Sequence, residues 1–404
     1  MATLTGFRDF YPADCAFRNA IFSTWRSVAQ RYGFVEYDGP PLEELELYAK
    51  KSGEELVGQL YHFKDKGDRD VALRPEITPT LAKMVAARHR DYKKPIKWFS
   101  IPQVFRYERP QKGRLREHYQ FNCDLIGETG LGADIELLAL AIDTLRAFGL
   151  TSADFIVRLS DRQFWIDFLN TKNVPEEQRY AFFQAIDKSE RQPEEKTREQ
   201  LGTLADEVLS ILANGAESPR LNEILSGLRA RGLGDYVRVD LRVVRGLAYY
   251  TGMVFEIFDP TGQFRAIAGG GRYDGLLKKL GDVDLPALGF GMGDVVLSDV
   301  LRAKGFQPPS LARAVYVIVA DEAYRHEALG VVQRLRDANF PVEYPLASAK
   351  VGKQFEAAED RGSRFAVVVD AAFAQGQVQV KELATRQQTA VALGELESYL
   401  KAQP

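Results

Sequence analysis

The densest chemistry in this sequence lies around one short turn. Arg106, Arg109, Arg114 and Arg116 flank Pro110-Gln111-Lys112-Gly113, and planar guanidinium groups on such a turn can grip phosphates at two points each. The arm that follows alternates: Tyr119, Phe121, Cys123 and Leu125 fall on one face of a strand, while Gln120, Asn122 and Asp124 fall on the other. One face suits a core and the other a polar ligand. On spacing alone, an exposed charge-rich hairpin accounts for the segment equally well.

Three further segments hold groups of chemical interest. Leu73-Arg74-Pro75-Glu76-Ile77-Thr78 carries a carboxylate that would ordinarily be a surface group. In Arg245-Gly246-Leu247-Ala248-Tyr249-Tyr250-Thr251-Gly252-Met253-Val254-Phe255-Glu256 the tyrosines would, taken alone, be half-buried members of a core strand. Gly269-Gly270-Gly271-Arg272-Tyr273-Asp274 would be a loop, as most triple glycines are.

The elements that must position these groups follow from periodicity. Phe17, Ile21, Phe22, Trp25, Val28 and Ala29 predict an amphipathic helix over 14–32 ending near Gly33, and then a strand that stops at Pro40-Pro41. A period of two over about 96–127 predicts strands joined by the basic turn, and helical spacing returns at 132–148. The segment of about 161–229, with Leu201, Leu204, Val208, Leu209 and Leu212, reads as a helical insertion. Strands are expected at 237–258 and 264–268, broken by the glycines. After a linker at Gln307-Pro308-Pro309-Ser310, a compact α/β domain is expected.

At 404 residues, two domains are the natural division. A net charge of −3 gives no whole-molecule attraction to nucleic acid, so any RNA contact must come from local basic patches. Cys15 and Cys123 lie far apart in sequence and support neither a disulfide framework nor a cysteine zinc site. No apolar run has signal-peptide or membrane-spanning length. A cytoplasmic protein with no membrane or DNA partner is expected.

Phe105-Arg106-Tyr107-Glu108-Arg109-Pro110, the basic turn and His118-Tyr119-Gln120 together resemble motif 2 of class II aminoacyl-tRNA synthetases, in the form found in the histidyl family. The resemblance implies that Arg106 holds the α-phosphate of ATP, that Arg114 reaches the γ-phosphate, and that Glu108 belongs to the same ATP-binding set. Positive charge on the phosphorus under attack and on departing pyrophosphate is what adenylate formation needs. Leu73 to Thr78 is similar to a segment in which Glu76 and Thr78 bind the substrate ammonium group. Related segments occur in threonyl and prolyl families, so this one marks the class more than the amino acid.

The Arg245 to Glu256 block resembles the histidyl family's own signature. It implies Arg245 as a catalytic cation on the α-phosphate and substrate carboxylate. It also implies a histidine-binding set of Gln120, Asp124, Tyr249 and Tyr250 beside Glu76 and Thr78. An imidazole offers one donor and one acceptor, so the Asp124 carboxylate and the Tyr250 hydroxyl could satisfy both. The Gly-Gly-Arg-Tyr-Asp segment is shared too, and its missing side chains would let the backbone approach an adenylate closely. Two positions depart from the family pattern: Val296 stands where motif 3 has an arginine, and Ala248 where the signature has an aspartate. Both forms resemble a plastid-type branch of the family.

The fold so implied is α+β: a class II antiparallel sheet flanked by helices over 1–306, with the helical insertion, and an α/β anticodon-binding domain over 313–404. In that domain Lys350, Lys353, Arg361 and Arg364 are candidate RNA contacts. The implied activity is ATP-dependent ligation of histidine to tRNA(His) through histidyl-adenylate. Mg2+ would arrive with ATP, with no metal held by protein side chains alone. A homodimer is implied, its interface formed by the 14–32 helix and the strand ending at Pro40. The alternative is a non-catalytic regulatory subunit of histidine biosynthesis, a partner of ATP phosphoribosyltransferase. Such partners generally lack the anticodon domain.

Overall fold

The computed structural model describes residues 3–49, 58–244, 250–308 and 315–403. The chain divides into two compact units, Met1–Gln307 and Pro308–Pro404.

In the first unit a large sheet runs in the order β1 (Val35–Glu36), β5 (Ile96–Ser100), β7 (Glu117–Ile126), β12 (Ala287–Gly293), β11 (Ala268–Arg272), β10 (Met253–Phe258), β8 (Ile156–Asp161) and β9 (Val237–Val239). A short β6 (Gln103–Phe105) lies beside the start of β7. Pairing is antiparallel through the middle and parallel only at the two ends, β1 with β5 and β8 with β9. The sheet is therefore mixed rather than wholly antiparallel.

One face of the sheet is apolar. Phe121, Cys123 and Leu125 of β7 join Leu288, Phe290 and Met292 of β12, and Met253, Phe255 and Ile257 of β10, in one buried cluster. Pro12–Arg31 and Leu131–Arg146 are among the helices that cover that face. Pro12–Arg31 buries Phe17, Ile21, Trp25, Val28 and Ala29, the stripe its periodicity demands, and the Trp25 ring stacks on Phe121 with centroids 5.3 Å apart. Leu131–Arg146 buries Leu137, Leu138, Ala141, Ile142 and Leu145.

The insertion consists of the helices Arg162–Thr171, Glu176–Lys188, Glu194–Leu201, Ala205–Asn214 and Pro219–Ala230. Its apolar residues, Leu201, Val208 and Leu212 among them, continue the main core instead of forming a separate one. The Trp165 indole N–H donates to the Leu241 carbonyl at 2.9 Å and ties the insertion to the chain returning from it.

Three features differ from the sequence expectation. The strand expected over 237–258 is interrupted after β9, where the Asp240 carboxylate accepts from the Arg242 backbone N–H and pairs with Arg158, which favours a turn. The triple glycine does not break a strand: 264–267, expected as a strand, is the loop before it, and Gly269, Gly270 and Gly271 are the middle of β11. A small sheet of β2 (Leu42–Glu44), β4 (Asp70–Leu73) and β3 (His62–Lys64), with no marked periodicity in sequence, leads into the Glu76 segment.

The second unit has its own sheet, ordered β14 (Val342–Glu343), β13 (Val315–Val319), β15 (Phe365–Val369), β16 (Gln377–Glu382) and β17 (Gln388–Ala392). Val315, Val317 and Val319 pack on one side with Val331, Val332 and Leu335 of the helix Arg325–Asp337, and Tyr316 and Ile318 pack on the other with Ala358 of the helix Val351–Asp360. A buried run with both faces covered is what a continuous apolar stretch encodes.

Candidate active site

The site is built on the second face of the large sheet, and its floor is set by strand register. Asp124 of β7 lies opposite Gly289 of β12, which lies opposite Gly271 of β11; Asn122 lies opposite Gly291 and then Gly269; Gln120 lies opposite Gly293. Directly paired residues share a face. The polar side chains of β7 thus stand beside two strands that carry none on that face.

The clearance is used at once. A Cβ on Gly289 would run into the Asp124 carboxylate, and one on Gly291 would come 2.7 Å from Gln120 Nε2. A Cβ on Gly271 would come 2.9 Å from the Tyr250 ring. Glu76, Thr78, Arg106, Gln120, Asn122, Asp124, Tyr250 and Tyr273 all line the cavity this leaves, of about 100 Å³.

Its side chains are held from several directions. Asp124 is buried and accepts a hydrogen bond from the Tyr273 hydroxyl. Burial, with Asp124 nearby, pushes the phenol of Tyr37 well above its ordinary range, so it stays protonated beside the carboxylate. Buried Arg74 fixes the segment that carries Glu76: it donates to Asp38 at 2.8 Å, to the Gly39 carbonyl at 2.7 Å and to the Gln103 carbonyl at 2.9 Å. Arg106 is anchored to the same segment through Nε to the Pro75 carbonyl at 3.0 Å.

A larger cavity, of about 590 Å³, adjoins the first and shares Arg106, Gln120, Gly269 and Gly291 with it. Its other walls include Glu108, Arg114, His118, Arg191, Glu256, Arg265 and Val296. Arg114 pairs with Glu108. Burial, and then the positive charge of Arg106, Arg8 and Arg114, lowers the His118 pKa to about 3, so a neutral imidazole faces this cavity. Across the turn, Arg116 donates to the Glu108 carbonyl and lies over the Tyr107 ring at 4.4 Å, and Arg109 lines neither cavity. The arginines of the turn therefore divide: Arg106 and Arg114 face the cavities, and Arg116 supports the loop.

Against known proteins, residues 6–293 match the family described as histidyl-tRNA synthetase, and residues 314–403 match an anticodon binding domain. This chain belongs to the histidyl-tRNA synthetase family. It is 47% identical over 416 residues to the histidine–tRNA ligase of Opitutus terrae, with 96% of this chain and 95% of that one covered. It is 37% identical to the chloroplastic/mitochondrial histidine–tRNA ligase of Arabidopsis thaliana, with 97% and 85% covered. The crystal structure of histidyl-tRNA synthetase from Nostoc sp. PCC 7120 superposes with a TM-score of 0.82 at 25% identity, over 99% of this chain and 98% of that one.

Within this histidyl-tRNA synthetase family member, the residues expected at the site are not all open to view. Glu76, Thr78, Asp124 and Tyr250 meet in the inner cavity, Glu108 and Arg114 in the outer one, and Arg106 and Gln120 in both. Arg245, Tyr249 and Ala248 lie outside the described residues. Sequence reasoning did not single out Tyr273, His118, Arg265 or Arg191. Tyr273 sits in the Gly-Gly-Arg-Tyr-Asp segment and His118 in the His-Tyr-Gln segment, so both were within reach of the motifs. Arg191 and Arg265 carried no signal at all.

In the anticodon-binding unit the candidate RNA contacts are largely engaged already. Lys353 pairs with Glu356 at 2.6 Å, Arg364 with Glu382 at 3.1 Å and Arg361 with Glu343.

Among the described residues no group of three or more His, Cys, Asp or Glu side chains is arranged to hold a metal ion. No helix among them is long and apolar enough to cross a membrane.

Proposed function

We propose that this chain ligates histidine to tRNA(His) in two steps, through histidyl-adenylate. The observation that carries the reading is the shared wall: Arg106 and Gln120 line both cavities, so an amino acid in the inner one and a nucleotide in the outer one would meet at a single guanidinium. That is where the carboxylate oxygen of histidine must attack the α-phosphorus of ATP while pyrophosphate leaves, and where negative charge builds up. A ribose hydroxyl at the tRNA end then attacks the carbonyl and AMP departs.

In this reading Glu76 and Thr78 take the substrate ammonium group. Asp124, held by Tyr273, accepts from one imidazole nitrogen, and the Tyr250 hydroxyl serves the other. Arg106 holds the α-phosphate, Arg114 leaves Glu108 for the γ-phosphate, and Arg245 supplies the further catalytic cation. Glu108 and Glu256 are the carboxylates on the outer cavity that fit Mg2+ brought by ATP, an ion that favours oxygen ligands and keeps much of its water. Bound there, it would neutralise phosphate charge.

A homodimer in the cytoplasm completes the proposal. The exposed edge strand β1, with Val35 63% exposed, supports an interface on that side. The regulatory-subunit alternative is weaker, since full-length relatives are named ligases and the second unit matches an anticodon binding domain.

The test is pyrophosphate exchange. Purified protein is expected to exchange labelled pyrophosphate into ATP only with histidine present and to charge tRNA(His); absence of exchange with every amino acid would overturn the enzyme reading. Arg245→Ala is expected to cut adenylate formation by about a hundredfold or more with little change in histidine binding. An unchanged rate would refute its assignment.

A further inference from the structure

We propose that Arg265, with Arg191 beside it, grips the outer phosphates of the nucleoside triphosphate and supplies there the positive charge that Val296 cannot. This rests on the functional reading above and names residues that no motif marked.

The two side chains converge on one point. A Cβ built on Gly113 would lie 3.4 Å from Val296 Cγ2 and 3.4 Å from Arg265 Cδ. The Arg265 stem therefore runs past the same glycine as the valine does, and both residues line the outer cavity.

Charge at this cavity is out of balance. Arg106, Arg114, Arg191 and Arg265 line it against the carboxylates of Glu108 and Glu256. Glu108 is engaged by Arg114. The Arg265 hydrogen bond goes to a neutral partner, Nη1 donating to Gln111 Oε1 at 3.3 Å. Among the described residues no carboxylate pairs with Arg265 or Arg191. Burial, and then the charges of Arg114 and Arg191, depress the Arg265 pKa against the opposing pull of Glu108. Like charges held around a cavity repel until an anion enters. A polyphosphate tail brings several negative charges in one ligand, with oxygens that planar guanidinium forks can take in pairs.

The presentation of Arg265 is fixed in advance. Its loop is folded around Asp259, whose carboxylate accepts from the backbone N–H groups of Thr261 at 3.0 Å and Phe264 at 2.9 Å. Burial alone would raise the Asp259 pKa, but these bonds and the Thr261 hydroxyl hold it below the usual carboxylate range. The loop is also joined to the basic turn, with the Lys112 ammonium 5.8 Å from the Phe264 ring centroid. Arg191 comes from the turn between the helices Glu176–Lys188 and Glu194–Leu201, so the insertion takes part in holding the nucleotide.

The experiment compares Arg265→Ala, Arg265→Lys and Arg191→Ala with the unmodified full chain. Exchange kinetics give KM and kcat, and calorimetry gives binding of ATP, inorganic pyrophosphate and AMP without turnover. Arg265→Ala is expected to raise KM for ATP about tenfold or more, with a parallel loss of pyrophosphate affinity. AMP affinity and KM for histidine should stay within about twofold, because AMP lacks the outer phosphates, while kcat should fall with the loss of positive charge on departing pyrophosphate. Arg265→Lys should recover part of the loss, and Arg191→Ala should move the same constants less. Unchanged ATP and pyrophosphate affinity in Arg265→Ala would overturn the proposal, and so would an equal loss for AMP, which would place Arg265 at the nucleoside end. Failure of the unmodified chain to exchange would instead count against the functional reading, while calorimetry would still decide the role of Arg265.

Discussion

The inner and outer cavities share a wall yet are built on opposite principles. The inner one is small, its groups stand on adjacent sheet strands or are braced against them, and its key carboxylate, Asp124, is fixed by Tyr273 before any ligand arrives. The outer one is larger, gathers side chains from the basic turn, the Asp259 loop, the insertion and the start of the helix Asp294–Ala303, and keeps an excess of positive charge. Discrimination of one side chain needs donors and acceptors fixed to a fraction of an ångström, which strands provide. Holding a polyanion needs charge within reach, and loops are adequate for that.

The sharpest way to break this contrast is Asp124→Ala. If the inner cavity selects by a fixed carboxylate, kcat/KM for histidine should fall about a thousandfold while KM for ATP moves only a few-fold, since a site built to hydrogen-bond its substrate loses most when a partner is removed. Equal losses for both substrates would mean that the cavities are not separate in function.

Next in size is a pair of glycines on the same strand. Gly289→Ala would push a methyl group into the Asp124 carboxylate, and about a hundredfold rise in KM for histidine is expected. In Gly293→Ala the nearest atom to the new methyl group is His118 Cδ2, at 3.8 Å, an ordinary contact, so less than about a threefold change is expected. Steady-state kinetics of the two variants side by side would check this, and similar behaviour would deny the bare floor its special role.

The smallest effect concerns His118 and the outer cavity. With a folded pKa of about 3 against 6.5 when unfolded, the imidazole takes up a proton in the unfolded chain but not in the folded one as pH drops between those values. Stability is thus unaffected by this group above about pH 6.5 and is lost as pH falls below it, by roughly 2 kcal/mol at pH 5. Denaturant unfolding from pH 7 to 5 should show a flatter slope in His118→Gln. Saturating ATP should flatten it in the unmodified chain as well, because phosphate charge favours the protonated ring.

Much of this architecture was legible in the sequence, for reasons that also explain what was not. The alternation along 119–125 placed Asp124 and Gln120 on the cavity face because strand geometry leaves no choice. The apolar stripe of Pro12–Arg31 was equally plain. In sequence the glycines of β11 suggest a break because glycine is a poor strand former; only their neighbours in the register, Gly289 and Gly291, make a bare strand sensible there. The hydrogen bond from Tyr273 to Asp124 spans 149 positions, and no local pattern encodes it. The strands β2 to β4 are three or four residues each, too short for a period to register. Arg191 comes from a turn with no periodic signal, and Arg265 lies in 264–268, whose strand-like pattern hides a loop that runs into β11.

The bare floor has a consequence for how such a site can change over time. Every single-base change in a glycine codon that alters the residue introduces a side chain, so Gly289 has no conservative neighbour in the genetic code. A cation on the rim is different, because arginine at one loop position can do electrostatic work absent at another, as proposed above for Arg265 and Val296, whose side chains both pass Gly113. Sequence drift is therefore expected to relocate charge around the outer cavity while leaving the glycine floor of the inner one untouched.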